Sequence, residues 1–161
     1  MKPTILTIDP GTRYMGFAVF HDTELIHYGV KSIVSVKDSK GKIKRGRYYI
    51  HQLIREFNPS QIIYEKTYFA NNERVDVVNI LTKDIVRIAH RKKIPITGIA
   101  ATTVRKKLCG NGYASKQDVS HVLVSYYPEL KPYIVLETKW KADFHFNMFD
   151  AIALRSAWDK K

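Results

Sequence analysis

The stretch Thr4-Ile-Leu-Thr-Ile-Asp9-Pro-Gly-Thr-Arg-Tyr14 decides the fold. Its first five residues are apolar or β-branched, which favours a buried strand. Asp9-Pro10-Gly11 cannot easily continue a strand, because proline lacks a backbone donor and glycine weakens strands. The sequence therefore predicts a buried strand that ends in a tight turn, with a carboxyl side chain at the strand's end.

Two more strand patterns follow, over Tyr14–Phe20 and Leu25–Val36, and predict an antiparallel meander. Residues 37–47 then hold six basic residues and one acid. Such a run is typical of a solvated loop or a helix entrance, and it could also hold phosphate groups. Apolar residues at helical spacing predict a helix over Tyr48–Phe57.

The second half of the chain alternates between strand and helix patterns. Gln61–Tyr64 reads as a short strand, a long apolar stripe from Val77 to Ala89 as a helix, and Ile94–Ile99 as a fifth strand. Three more helices are predicted: Ala101–Leu108, Lys116–Tyr126 with Ser115 as its N-cap, and roughly Asn147–Trp158. This order predicts an α/β fold with a mixed five-stranded sheet and helices on both faces.

Length and composition narrow the class of protein. A chain of 161 residues with 45% hydrophobic side chains suits a single domain over 1–161. The lone Cys109 cannot form an intramolecular disulfide, which favours a reducing compartment. The apolar run Ile5–Ile8 is far too short for a signal peptide or a membrane span, so we expect a soluble, cytoplasmic protein with no membrane partner.

The charge balance points to a polyanionic partner. Lysine and arginine total 27 against 15 acids, giving a net charge of +12. Phosphate contacts and counterion release make nucleic acid the leading expectation, with an anionic membrane second. A basic surface that serves solubility alone is the remaining alternative.

Three of the acids have apolar surroundings in the sequence. Asp9 and Glu65 each end a predicted buried strand, and Asp150 lies within the apolar final helix. A buried, ionised carboxylate costs several kcal/mol unless it is paired or binds a metal. Each acid also has a simpler explanation: Asp9 starts a turn, Glu65 pairs with Lys66, or Asp150 pairs with Arg155.

If these three carboxylates converge, their mutual repulsion favours a bound divalent cation. Oxygen ligands suit Mg²⁺, with Mn²⁺ able to substitute. Beside a strongly basic surface, such a centre predicts two-metal-ion hydrolysis of phosphodiester bonds in nucleic acid.

Four segments resemble the RuvC Holliday-junction resolvases of the RNase H-like nuclease superfamily. They occur in the family's order and span residues 5–154. The segments are Ile5-Leu-Thr-Ile-Asp9-Pro-Gly-Thr-Arg-Tyr-Met-Gly-Phe-Ala, Ile62-Ile-Tyr-Glu65-Lys-Thr-Tyr-Phe-Ala-Asn-Asn, Cys109-Gly-Asn-Gly-Tyr-Ala-Ser-Lys116-Gln-Asp-Val and Asn147-Met-Phe-Asp150-Ala-Ile-Ala-Leu.

The resemblance implies an RNase H-like homodimer with two active sites that nicks four-way DNA junctions symmetrically. It implies that Asp9, Glu65 and Asp150 bind the catalytic Mg²⁺, and that Lys116 acts near the scissile phosphate. The family usually has Asp or His three residues before the final acid, where this chain has Asn147, which can ligate the metal through its amide carbonyl but brings no negative charge. Asn147 is either natural or a nearly isosteric replacement for aspartate. Asp143 or His145 could supply the missing ligand.

Further roles follow from the same resemblance. Tyr68 occupies the place of an aromatic residue that stacks on bases at the junction, although packing is an equal alternative. The long helix over Ala70–Ile88 is the implied dimer element, with a role in the core alone as the alternative. Candidate contacts to the DNA backbone, each also open to a purely solvated role, are Arg105, Lys106, Lys107, Asn111, Tyr113 and Lys116.

Two other functions compete with a nuclease. The chain could bind junctions without cutting them, because Asn147 brings no negative charge to the metal site. The Asp9-Pro-Gly-Thr12 turn could instead be the phosphate turn of an actin-like ATPase, although that fold normally needs two such domains and a second phosphate motif.

Overall fold

The computed structural model describes residues 2–67, 73–134 and 139–158, without the side chains of 73–75 and 139–143. Its five strands form one sheet in the order β3-β2-β1-β4-β5. The strands are β1 (Thr4–Asp9), β2 (Tyr14–His21), β3 (Glu24–Ser32), β4 (Gln61–Lys66) and β5 (Ile96–Ala100). The predicted mixed, five-stranded sheet is therefore confirmed.

The strand directions bring three strand ends to one edge of the sheet. β1 pairs antiparallel with β2 and parallel with β4, and β4 pairs parallel with β5. The C-terminal ends of β1, β4 and β5 consequently lie side by side. We call this edge the carboxyl edge; parallel sheets commonly place ligand sites there.

Helices cover both faces of the sheet, as predicted. They are α1 (Ser39–Phe57), α2 (Glu73–Arg91), α3 (Ala101–Cys109), α4 (Lys116–Tyr126) and α5 (Lys139–Ala157), with a 3₁₀ helix at Pro128–Tyr133. Helices α1 and α2 pack on the face that carries Leu6, Ile8 and Ile62. The other helices pack on the opposite face, against Ile5 and Ile63.

The backbone of α5 lies directly against β2. A Cβ at Gly16 would collide with the backbone carbonyl of Asn147 and lie 3.0 Å from the Met148 nitrogen. Gly16 is also the antiparallel partner of Asp9 in the sheet. This close approach therefore brings α5, and with it Asp150, over the end of β1.

The predicted element bounds differ most from the structure at three places. The third strand ends at Ser32 rather than Val36, and α1 begins at Ser39 rather than Tyr48. Asp38 caps α1, because its Oδ1 accepts a hydrogen bond of 2.7 Å from the Gly41 nitrogen. The basic run 37–47 is thus mostly helical. The last helix begins at Lys139, earlier than Asn147.

Within the described ranges, no helix combines the length and apolar character that a membrane crossing requires.

Candidate active site

Asp9 and Glu65 lie next to each other at the carboxyl edge. The parallel pairing of β1 with β4 extends to Ile8 opposite Tyr64, and each acid is the next residue of its strand. Side chains alternate along a strand, so Asp9 and Glu65 share the face that carries Ile5 and Ile63. That is the face covered by α5. Asp9 is only 8% exposed.

Asp150 joins these acids from α5, together with Lys116 from the first turn of α4. The Lys116 Nζ lies 3.1 Å from Asp150 Oδ2, and the Asp150 side chain is 13% exposed. Ser115 fixes the start of α4 through a capping box with Asp118, which confirms the predicted N-cap. This cap holds Lys116 beside the acids.

The pKa values of Asp9 and Glu65 are raised. Burial raises the pKa of Asp9 well above its ordinary value, and the negative charges of Glu65 and Asp150 raise it further. Burial and the charge of Asp150 raise the pKa of Glu65 to about 7. Lys116 opposes both increases without cancelling them. Repulsion among these acids is therefore incompletely neutralised.

The donor set suits a hard divalent cation, but the carboxylates do not yet enclose one. Across the described residues, no three acidic, histidine or cysteine side chains are grouped so that together they could hold an ion. Asp150 instead directs an oxygen to the Lys116 ammonium. The under-neutralised carboxyl oxygens of Asp9 and Glu65 nevertheless fit the chemistry that Mg²⁺ and Mn²⁺ prefer.

An open groove of about 640 Å³ adjoins the acids. A Cβ at Gly11 would lie 3.8 Å from Asn147 Oδ1, so the Asn147 amide faces the turn after β1. Asn147 and Asp150 are three residues apart in α5 and therefore share one side of it. The groove is lined by Gly11, Thr12, Arg13, Tyr14, Val78, Lys116, Gln117, Phe146 and Asn147.

The predicted DNA contacts differ in their surroundings. The charge of Arg105 lowers the pKa of Glu65, which places Arg105 near the acids. Tyr113 is 91% exposed. Asn111 Oδ1 accepts a hydrogen bond from the Tyr113 nitrogen at 2.9 Å. Lys106 is exposed on α3, whereas Lys107 Nζ donates to the Ala157 carbonyl at 3.3 Å.

Tyr68 and the first residues of the implied dimer helix, Ala70–Ile88, lie outside the described residues, as does the side chain of Asp143. The His145 ring lies 5.0 Å from the Tyr133 ring and 5.2 Å from the Phe144 ring. His145 therefore belongs to an aromatic cluster.

Two simple ion-pair alternatives are wrong. Glu65 makes no ion pair with Lys66 within the described part of the chain. Asp150 pairs with Lys116 rather than Arg155, whose Nη2 lies 3.8 Å from Asp22 Oδ1.

Sequence reasoning missed Arg13 and Phe146 of the groove. Lys116 Nζ lies 5.9 Å from the centre of the Phe146 ring. Arg13 directly follows the Asp9-Pro-Gly-Thr12 turn, a signal that could have identified it. Phe146 carried no such signal, because an aromatic residue in an apolar helix is usually core.

Comparisons with known proteins agree with this arrangement. The family model for "Crossover junction endodeoxyribonuclease RuvC" matches residues 5–134. The RuvC of Baumannia cicadellinicola is 28% identical over 123 residues, which cover 74% of this chain and 71% of that protein. The solved structure of Thermus thermophilus RuvC matches with a TM-score of 0.70 at 19% identity, covering 96% of this chain and 92% of that one. A structure of T. thermophilus RuvC with a Holliday junction substrate gives the same TM-score and coverages at 18% identity.

The sheet order and the acids at its carboxyl edge define an RNase H-like fold of the resolvase type, as predicted. The match over residues 5–134 is more specific: this chain belongs to the RuvC family.

Proposed function

We propose that this protein is a Holliday junction resolvase, an endodeoxyribonuclease that hydrolyses phosphodiester bonds at four-way DNA junctions. The observation that carries the proposal is the match of residues 5–134 to the RuvC family, in a chain whose Asp9 and Glu65 lie side by side at the carboxyl edge with the Asp150–Lys116 pair near them. The groove beside them is open, and the net charge of +12 suits a DNA backbone.

The chain's own oxygens would hold the metal. Asp9, Glu65 and Asp150 would provide carboxylates for Mg²⁺, and Asn147 would add a neutral amide oxygen. Two bound metal ions would lower the pKa of a water molecule and stabilise the negative charge on the leaving 3′ oxygen. Mn²⁺ would occupy the same donors.

Lys116 has two parts in this proposal. Its ammonium stabilises Asp150 before a metal ion binds, since the two atoms lie 3.1 Å apart. With a cation held at Asp150, the ammonium would be free to face the groove that Lys116 lines. In the groove it would stabilise negative charge on the scissile phosphate.

Other residues would hold the DNA. Arg105 lies near Glu65 and would contact the phosphate backbone beside the scissile bond. Exposed Tyr113 and Asn111 would contact it from the turn after α3. Tyr68 would stack on an unpaired base, and Lys106 and Lys107 would add backbone contacts. Two copies of the chain, joined through the helix over Ala70–Ile88, would place two active sites on one junction and cut it symmetrically.

The test is cleavage of an immobile four-way junction. We expect paired, symmetric nicks with Mg²⁺ and none with excess EDTA. Asp9→Asn should abolish the nicks and leave junction binding intact. Equal cutting in EDTA would contradict a metal-dependent mechanism.

Asn147 favours one alternative, a protein of the same fold that binds junctions and cuts them weakly or not at all. An amide contributes no negative charge to a metal site, so metal affinity would be lower than with aspartate. Asn147→Asp distinguishes the two functions. Cleavage that appears only in this variant would make the chain with Asn147 a junction binder, whereas comparable cleavage by both would exclude that alternative.

A further inference from the structure

One face of α1 carries a row of exposed polar side chains that the active site does not use. We call this row the α1 stripe: Lys40, Lys44, Tyr48, His51 and Arg55. The residues follow each other at intervals of three or four, so they share one side of the helix. The opposite side is buried through Gly46, Ile50, Leu53 and Ile54.

The charge at the start of α1 works against the stability of the helix. A helix N-terminus favours acids and disfavours cations, yet the first turn of α1 contains no acid. Lys40 and Lys44 are also like charges four residues apart, which repel each other. The nearby acid, Asp38, is hydrogen-bonded to the helix backbone. Folding therefore does not explain this concentration of lysines.

The cations of this segment are mostly available to a partner. Of the six basic residues in 37–47, only Arg47 forms an ion pair within the described ranges. Lys37, Lys40, Lys44 and Arg45 are exposed. A surface that keeps unpaired like charges together in this way suits a polyanion.

α1 is attached to the sheet at the carboxyl edge. β3 ends at Ser32, which pairs with Tyr14 across the sheet. The next residue, Ile33, donates its backbone N–H to the Arg13 carbonyl at 2.8 Å. The Tyr49 hydroxyl then ties α1 to the Ser32 carbonyl at 2.9 Å. These contacts attach the middle of α1 to the β3 end of the carboxyl edge, next to Arg13 in the segment that follows Asp9.

The stripe also borders a shallow groove. The groove has a volume of about 560 Å³ and is lined by Val36, Gly41, Lys44, Arg45 and Tyr48. Tyr48 is 56% exposed, so its hydroxyl is free to donate a hydrogen bond to a phosphate oxygen. At 1.5 Å per residue, Lys40 to Arg55 spans about 22 Å. That length matches about six base pairs of duplex at 3.4 Å each.

We infer that the α1 stripe binds the phosphate backbone of a duplex arm that leads away from the cleavage site. The inference rests on the proposed function for its choice of DNA as the polyanion. It adds a second contact surface, on the sheet face opposite α5, which extends the interface beyond the acids and their groove.

The test is the salt dependence of junction binding, measured in EDTA so that no cleavage occurs. The variant is Lys40→Gln with Lys44→Gln. Loss of two phosphate contacts should reduce the slope of log affinity against log salt by about 1.8 between about 50 and 200 mM salt. The melting temperature should stay the same or rise, because the lost cations disfavour the helix N-terminus.

The matched control is Lys92→Gln with Lys93→Gln. These exposed lysines follow α2 near Pro95, whose carbonyl accepts a hydrogen bond from Ile62 at the opposite edge of the sheet. The control removes the same charge, so a slope reduction confined to the α1 variant supports the inference.

Equal slopes for the α1 variant and the wild type would overturn the inference, and wild-type cleavage would then leave the proposed function standing. Equal reductions in the variant and the control would also overturn it, because net charge alone would explain them. If the wild type binds no junction and the α1 variant loses binding to phosphatidylserine vesicles, the partner is an anionic membrane and both proposals fail.

Discussion

Buried acids on the two faces of the sheet have opposite electrostatic surroundings. Asp84 of α2 is 4% exposed and lies between Arg47 of α1 and Arg87, with Arg47 Nη2 at 3.4 Å from its Oδ1. Asp9, on the other face, is 8% exposed and lies near Glu65 and Asp150, with Lys116 among them and Arg105 near Glu65.

Burial of Asp84 is offset by two cations, whereas burial of Asp9 and Glu65 is offset only in part. Two arginines offset the cost of burying Asp84 and join α1 to α2. The cost of burying Asp9 and Glu65 is not offset in this way, because their pKa values are raised by burial and by neighbouring negative charge. Strongly shifted pKa values in a cleft are characteristic of functional sites.

The largest expected effect is that of Asp9→Asn on junction cleavage. The rate should fall about a thousandfold or more, because metal-bound charge stabilisation is worth several kcal/mol in the transition state. Single-turnover cleavage in Mg²⁺ measures this loss. Asp84→Asn is the control, and a comparable loss in that variant would remove the distinction between the two faces.

The next largest effect is the pH dependence of the free energy of unfolding in the absence of metal ions. The pKa of Glu65 is about 7 in the folded protein against 4.5 ordinarily. A raised carboxyl pKa means that the stabilising contribution of the protonated form is complete below about pH 4.5 and is lost as pH rises to about 7. At about 1.4 kcal/mol per pH unit, the loss is on the order of 3 kcal/mol.

Urea denaturation in EDTA across this pH range measures that loss. Glu65→Gln should flatten the part of the profile that Glu65 causes. If the free energy of unfolding changes by the same amount from pH 4.5 to 7 in the wild type and in the variant, the raised pKa of Glu65 is contradicted.

The third effect is that of a substitution that changes the packing of α5 against β2. Gly16→Ala puts a methyl group against the backbone of α5 at Asn147 and should displace the helix that carries Asp150. A misplacement of about 1 Å can cost about a hundredfold in rate, while overpacking costs about 1–3 kcal/mol of stability. Cleavage and urea denaturation of the same variant separate the two effects. Undiminished cleavage would mean that the position of α5 does not matter for the site.

The smallest effect is that of Asp84→Asn on stability. Loss of charged hydrogen bonds to two half-exposed arginines should lower the free energy of unfolding by about 2 kcal/mol. The decrease should be the same with Mg²⁺ and with EDTA. Asp9→Asn should instead stabilise the metal-free protein, since it removes a repelled buried acid. A metal-dependent decrease in Asp84→Asn would show that the two faces are not independent.

Much of the fold follows from local patterns in the sequence. The Asp9-Pro-Gly turn, the apolar run before Glu65 and the Ser115 N-cap each combine a local signal with an element that the structure confirms. The start of α1 was missed because charged residues outnumber apolar ones over 37–47, so no apolar periodicity marks a helix there. The helix begins at this point because Asp38 caps its first turn by accepting a hydrogen bond from the Gly41 nitrogen.

The candidate site was only partly predictable for a different reason. The sequence predicted which acids have apolar surroundings but not which side chains they contact. The Lys116–Asp150 hydrogen bond, for example, joins residues 34 positions apart. The contact between Arg47 and Asp84 joins residues 37 positions apart, and no sequence motif marks it. Gly16 reads as an ordinary strand residue until α5 is placed against it. Tertiary contacts, rather than propensities, determine all three.

The most direct test of the central claim is calorimetric titration of Mg²⁺ into the wild type, Asp9→Asn and Asp84→Asn near pH 7, in two buffers of different ionisation enthalpy. We predict that the wild type and Asp84→Asn bind Mg²⁺ and release protons, because Glu65 must ionise to bind the ion, and that Asp9→Asn loses most of the affinity. Equal Mg²⁺ binding by Asp9→Asn and the wild type would contradict the claim that the acids at the carboxyl edge form a metal site.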